Sequence, residues 1–397
     1  MIEQRTVPEV DVDEDDWLDA RPGRPPVLGA GLALPEVPGT PAATLTQAEP
    51  QPADVVHEPV APGPAQVHWE EMPETPLAER PFPGAMASAG DPVPARWGWR
   101  NRVRQVSAGL IQPAPGAEEK AFRDEIDTIR RSTWTRSVNV LVTNPKGGSG
   151  KTPAALVLAG VLGSLRGGYV VAWEATESAG TLARRCEGGQ GRGLAEMLSG
   201  ISGITSAGRL GGYTAPQTSN ADVIASAGPR DMLSAPQMLS VREVLDTYYR
   251  ITVTDTGNNP GHETYRAALR IADAVLIPCL VSVDALAGVE QTLRLIESAS
   301  GPVDLRERVV VVLGHDGGPE EPGTAEAVRR RLGELRTAAV IEVPFDPLIR
   351  RGGEISLSAL SEESRRAWTR AAAAVVRALS AANSDIDLVA QTRAEIG

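Results

Sequence analysis

The apolar run Val138-Asn139-Val140-Leu141-Val142-Thr143 breaks into Lys146-Gly147-Gly148-Ser149-Gly150-Lys151-Thr152, and the chain then enters Ala154-Ala155-Leu156-Val157-Leu158-Ala159. A β-branched stretch, a glycine cluster and an alanine-rich apolar run predict a buried strand, a tight loop and a buried helix in succession. At such a helix start the backbone N–H groups lack partners and the dipole favours negative charge, so a loop of glycines can curl its amides around an anion. Gly147, Gly148 and Gly150 leave that approach unobstructed, with Ser149 between them. Lys151 is then placed to set its ammonium on the β- and γ-phosphates of a nucleotide, and Thr152 to complete the coordination of Mg²⁺. Pro153 falls in the first helical turn, where a missing N–H costs little. The bland alternative is a glycine-rich turn with accidental lysines.

The ordinary pattern G-x-x-x-x-G-K-[ST] is not met, because Pro145 stands five residues before Gly150, whereas K-G-G-x-G-K-T is met in full. With its additional Lys146, the loop resembles the deviant Walker A motif of the ParA/MinD ATPases, members of the SIMIBI class of P-loop proteins. That resemblance implies an α/β fold, a mostly parallel sheet with helices on both faces, and ATP and Mg²⁺ as cofactors. It also implies an ATP-bound homodimer in which Lys146 reaches the partner subunit's phosphates.

Downstream, Tyr169-Val170-Val171-Ala172-Trp173 reads as a second buried strand, ending in Glu174-Ala175-Thr176-Glu177. The family has a D-x-D-type motif here, whose second aspartate orients the attacking water; this chain has Glu174 at the first position and Thr176 at the second. A threonine hydroxyl can hydrogen-bond a water but carries no charge near neutral pH, so slow hydrolysis with retained dimerisation is expected. Glu177 reaching in, or a carboxylate from elsewhere, are the alternatives. The strand Tyr249 to Thr254 runs into Asp255-Thr256-Gly257-Asn258, which matches a Walker B strand and switch loop. Asp255 would hold the Mg²⁺ shell and the Gly257 region sense the γ-phosphate, unless Asp255 only caps the next helix. Ala272 to Cys279, Val309 to Leu313 and Ala339 to Pro344 read as further strands of a parallel sheet. Gly314-His315-Asp316 stands where the family often supplies an asparagine to adenine. The turn Pro344-Phe345-Asp346-Pro347 resembles the adenine-side loop, with Phe345 stacking on the base or packing in the core. The resemblance spans roughly Val138 to Leu379.

The composition is split. Residues 1–94 hold 18 of the 32 prolines, 17 acidic and 4 basic residues, a net −13 within a chain of −12, so the remainder sums to about +1. Such sequence cannot bury enough apolar surface to offset its ordering entropy, and a disordered acidic tail is expected. Trp17-Leu18, set among aspartates, is either a docking peptide or an idle tail residue. The organisation read from the sequence is thus a tail (1–94), a connecting segment (95–136), an ATPase-like domain (137–383) and a short C-terminal tail (384–397). Cys186 and Cys279 sit in no metal or disulfide spacing, and neither an apolar stretch of membrane-spanning length nor a secretory signal is read, so a reduced cytoplasmic protein is expected, nucleoid-associated or peripheral to a membrane apparatus.

The connecting segment places Trp99, Val103, Val106 and Leu110 in one helical stripe beside Arg100, Arg102 and Arg104. It could dock on a membrane surface, a partner protein or its own ATPase domain, and a polar helix from about Ala117 to Arg131 follows. This Trp/Arg sequence ahead of the domain resembles the actinomycete MinD-like proteins of type VII secretion. For output, Arg329-Arg330-Arg331, Arg336, Arg350-Arg351 and Arg365-Arg366 could offer non-specific DNA a basic surface, as in partition proteins. The tail and the Trp/Arg segment suit a partner protein of a secretion or conjugation apparatus. The segment from Ser384 to Gly397 lacks the basic face of a membrane helix. A nucleotide-binding regulator that does not hydrolyse is a third reading.

Overall fold

The computed structural model describes residues 94–299, 305–321 and 323–396, with side chains through 381. The expectations for the acidic tail, Trp17-Leu18 included, lie outside the described residues. The strands β1 (Val138–Val142), β2 (Val170–Ala175), β3 (Ala215–Pro216), β4 (Ala221–Ile224), β5 (Ile251–Thr256), β6 (Ala274–Leu280), β7 (Val309–Gly314) and β8 (Ala339–Val343) form one sheet in the order β3-β4-β2-β5-β1-β6-β7-β8. All neighbours are parallel except the short pair β3 and β4.

The helices are α1 (Gly98–Val106), α2 (Ala117–Arg131), α3 (Lys151–Arg166), α4 (Leu182–Arg185), α5 (Leu194–Ser199), α6 (Ala207–Gly211), α7 (Ala235–Tyr248), α8 (Glu263–Arg270), α9 (Val283–Ala299), α10 (Thr324–Glu334), α11 (Pro347–Arg350) and α12 (Glu362–Ile396). One sheet face is packed by α3 and α12, with Val138, Val140 and Val142 pointing into that layer. The other is covered by α7, α8 and α9, which meet Leu141, Val171 and Trp173. A strand buried on both faces has no reason to alternate polar with apolar residues, which is why β1 and β7 are almost continuous valine and leucine. One polar chain crosses this core: the Trp173 indole donates to Thr254 Oγ1 (2.9 Å), Thr254 to Asn139 Oδ1 (2.7 Å), and Asn139 to the Ile271 carbonyl (3.3 Å). Each member has a partner, so the chain fixes register without leaving an unpaired buried dipole.

All six strands expected from the sequence are present, and α2 has the bounds expected. The strands β3 and β4 were not foreseen: each is too short to carry a pattern. The connecting helix ends at Val106 because Ala108 (φ 49°) and Gly109 (φ 85°) turn left-handed, so Leu110 is not on it. Val103 is half-buried, but the rest of the stripe faces outward: Trp99 is 67% exposed, Val106 89% and Leu110 91%. Trp97 instead turns inward, its ring 5.3 Å from that of Phe122 on α2. The helix α12 continues through Ile396, past the boundary read at 383. No helix among the described residues is long and apolar enough to cross a membrane.

Helix α3 lies close against the turn between β3 and β4 at Gly163, where an added β-carbon would lie 2.8 Å from the Ala221 nitrogen and 2.9 Å from the Ser219 carbonyl oxygen. Both obstacles are backbone and cannot rotate away. Gly163→Ala is therefore expected to destabilise the fold by about 1–3 kcal/mol, read as a lower urea midpoint at unchanged slope.

Candidate functional site

In β1, β2 and β5, Val142 lies opposite Asp255 and Glu174 lies opposite Asp255 from the other side. The strand ends therefore deliver the glycine loop, Asp255 and the segment after Glu174 to one rim of the sheet. Gly148 (φ 74°) and Gly150 (φ 88°) are left-handed, and Gly150 caps α3 from that conformation. A side chain would find open space at both positions, so backbone conformation alone calls for glycine there. Asn144 anchors the start of the loop: it donates to the Pro278 carbonyl (2.8 Å) and accepts from the Lys146 amide (2.9 Å).

The Lys151 ammonium curls back over the loop, donating to the carbonyls of Asn144 (2.8 Å) and Lys146 (3.2 Å). Burial lowers its pKa, opposed by the charges of Asp255 and Glu177. Thr152 donates to Asp255 Oδ2 at 2.7 Å, while Asp255 Oδ1 is buried without a partner, as is Ser149 Oγ. Burial drives the Asp255 carboxyl up to about 7, with the Thr152 bond working against it.

A hard cation would suit that hydroxyl and orphaned carboxylate oxygen, and its charge would offset the cost of keeping Asp255 ionised. Among the described residues no group of three or more His, Cys, Asp or Glu side chains could hold a metal alone. A cation here would take its remaining ligands from phosphate and water, as Mg²⁺ ordinarily does. The residues fit that group. The fold is α/β, with an eight-stranded, mostly parallel sheet like that of P-loop ATPases.

No protein-family model matches the chain. Among curated proteins it is similar to the ESX-1 secretion-associated protein EspI of two Mycobacterium tuberculosis strains, CDC 1551 / Oshkosh and H37Rv, at 26% identity over 288 residues. That alignment covers 71% of this chain and 42% of the relative, so the chain spans less than half the length of the curated relatives it matches. Similar solved structures include a ParA family ATPase from Chlorobium tepidum TLS (16% identity, 60% of this chain and 98% of that one, TM-score 0.49). Others are the cell division ATPase MinD of Pyrococcus furiosus (17%, 61% and 99%, TM-score 0.46) and the MinC:MinD cell division protein complex of Aquifex aeolicus (18%, 59% and 94%, TM-score 0.44). The structural neighbours are thus ParA/MinD family ATPases.

Beside the loop lies a cavity of about 230 Å³, lined on one side by Gly148, Ser149, Gly150 and Pro153 and on the other by Pro344, Phe345 and Asp346. The structure thus brings the two expected halves of the site together. Phe345 is 40% exposed and packs its ring edge on Gly317, so it is not a core residue. Asp346 lines the cavity, but its carboxylate accepts from the amides of Leu348 and Ser361, both at 3.0 Å. Its role there is to hold the turn.

Glu174 is fully buried and turned toward its own loop, accepting from the Gly180 amide (3.0 Å) and the Ser226 hydroxyl and facing Arg230. The Thr176 hydroxyl donates to the Ser178 carbonyl (2.6 Å) and receives Arg230 (3.2 Å). Sequence reasoning missed Arg230 and Asn144: neither belongs to a motif, and Arg230 lies 54 residues from Thr176. Lys146 is paired with Asp284 at the start of α9 (2.8 Å), a partner equally unmarked in the sequence. Four of the eight arginines expected to form a basic surface are paired with carboxylates: Arg329 with Glu342, Arg331 with Glu290 and Glu334, Arg350 with Asp316, and Arg366 with Glu362.

At the cavity rim the His315 ring bridges Glu320 (2.6 Å) and Glu342 (2.7 Å), and Arg329 clasps Glu342 as well. The Arg329 bonds, against some burial and with help from His315, hold Glu342 down at about 2, from an ordinary 4.5. For His315 burial opposes the charged ring, but the two carboxylates outweigh it and raise the pKa above 6.5. The Glu342 contribution to stability is fully present above 4.5 and lost as pH falls toward about 2; the His315 contribution is full below 6.5 and lost as pH rises through the raised value. Glu342→Gln should lower stability between these limits and flatten its fall on acidification, measured by denaturant unfolding against pH. A wild-type acid limb in that variant would contradict the assignment.

Proposed function

We propose that this chain is an ATP-binding switch of the ParA/MinD kind, which dimerises with nucleotide and hydrolyses it slowly. The observation that carries the reading is the Thr152–Asp255 pair, with its orphaned carboxylate oxygen, beneath a loop of left-handed glycines and beside the Phe345 cavity. In this reading the loop amides from Gly147 to Lys151 bind phosphate, and the Lys151 ammonium leaves two backbone carbonyls for phosphate oxygens. Thr152 and Asp255 hold Mg²⁺, whose chemistry is to neutralise phosphate charge. Phe345 and Pro344 border the base, and Lys146 exchanges Asp284 for the partner subunit's phosphates. Slow turnover is expected because the Thr176 hydroxyl is already given to Ser178 and carries no charge, so that a carboxylate acting on the water has to come from a neighbouring position.

Two outputs fit such a switch: positioning of a cargo such as DNA in partition, and regulation of a partner protein in a secretion or conjugation apparatus. The second is favoured by three observations. Half of the arginines that DNA would need are paired with carboxylates, Trp99, Val106 and Leu110 stand exposed beside Arg102, and the curated relative is named for ESX-1 secretion.

Sedimentation and calorimetry with ATP, ADP and no nucleotide, in the presence of magnesium, test the reading. Lys151→Ala should weaken ATP binding by about 10- to 100-fold, as loss of a charge-assisted bond does. Lys146→Ala should keep affinity within about threefold but lose ATP-driven association, at roughly the cost of one interfacial charge pair. An intact chain that binds no adenine nucleotide would refute the proposal. ATP-dependent retention on non-specific DNA that falls with salt would restore the partition output over the partner-protein one.

A further inference from the structure

The segment after β2 carries a second carboxylate whose surroundings differ from those of Glu174. Glu177 reaches from that segment to the loop after β5, and a β-carbon at Gly257 would collide with its carboxylate. Next along that loop, the Asn258 side chain borders Gly147 of the glycine loop, at 3.3 Å from where a β-carbon would sit. Glu177, the Gly257-Asn258 turn and the phosphate loop are therefore stacked in sequence. The Glu177 charge also acts on Lys151. Its Oε1 is buried without a hydrogen-bond partner, a costly state for a carboxylate and one expected where a water or ligand completes it.

The side chain is aimed by its own backbone. Arg230, whose side chain is 2% exposed, donates to the carbonyls of Thr176 (2.7 Å), Glu177 (3.0 Å) and Ser178 (3.1 Å) while facing Glu174. The Glu177 carbonyl also accepts the Leu233 amide at 2.8 Å. Three successive carbonyls gripped by one planar guanidinium leave the segment little freedom, with the Thr176 hydroxyl turned back on Ser178 and the Glu177 carboxylate set against Gly257.

We propose that Glu177 is the carboxylate that orients the attacking water in this chain, in place of Thr176, and that Arg230 is its positioning residue. The assignment rests on the nucleotide reading above. In the step it serves, the water oxygen bonds to the γ-phosphorus, and the bond from that phosphorus to the bridging oxygen breaks, its electron pair leaving on the diphosphate. The proton released by the water is accepted by Glu177 and passes to the phosphate product.

The test uses the full chain with Mg²⁺ and ATP, reading phosphate release, ATP affinity by calorimetry and association by sedimentation. Glu177→Gln, nearly isosteric, should cut turnover about 100-fold, the usual scale of a general base, while ATP affinity stays within about threefold and the ATP-bound dimer persists. Glu177→Asp should recover part of the rate, and Arg230→Lys should lower kcat with KM little changed. The proposal is overturned if Glu177→Gln turns over at the wild-type rate, if it loses ATP affinity along with rate, or if the wild-type chain binds ATP without measurable turnover. Failure of the wild-type chain to bind ATP would instead remove the nucleotide reading, and this proposal with it.

Discussion

The helix that opens at Lys151 is buried from Ala154 to Gly163, wedged between the sheet and α12, and that burial fixes the loop before it. A tight run of unpaired amides needs a rigid base, because every degree of freedom in the helix would blur the cradle they form. Gly163 sets how closely the helix lies on the sheet, and the alanines set how closely α12 lies on the helix. Packing of α3 between the sheet and α12 thus sets the shape of a glycine loop that is itself nearly all backbone.

From this base the rest of the site is added by register. Parallel pairing of β2, β5 and β1 sets Glu174, Asp255 and Val142 in one row, so three chain segments distant in sequence end at one rim. What each carboxylate then does is decided by its immediate neighbours. Glu174 is held by an amide and a hydroxyl, Asp255 by a threonine on one oxygen only, and Glu177 has its Oε1 buried without a partner beside a glycine. The same functional group thus meets three different environments at one rim of the sheet.

The strand, loop and helix around Lys151 were legible because each signal is local: β-branched residues, then glycines, then alanines. The Asp255 strand end and the Pro344-Phe345 turn were legible for the same reason. Arg230 was not, since a buried arginine is found only when the carbonyls it serves are known, and these lie more than fifty residues away. The pairing of Lys146 with Asp284 spans 138 residues and leaves no trace in either neighbourhood. The direction of Trp99 also escaped periodicity: a helical stripe shows which residues share a face but not what that face meets, and here Trp99 and Val106 are turned to solvent while Val103 is half-buried.

The Lys146–Asp284 contact makes any transfer of that amine a substitution of one counter-ion for another. Only the difference between two ion pairs is available as driving force, and added salt screens the old pair as well as the new one. In the proposed switch a polyphosphate, a stronger counter-ion than a monovalent carboxylate, would draw the side chain from Asp284, whereas a singly charged anion would gain little over that carboxylate. Discrimination of that kind comes from a competitor built into the same subunit.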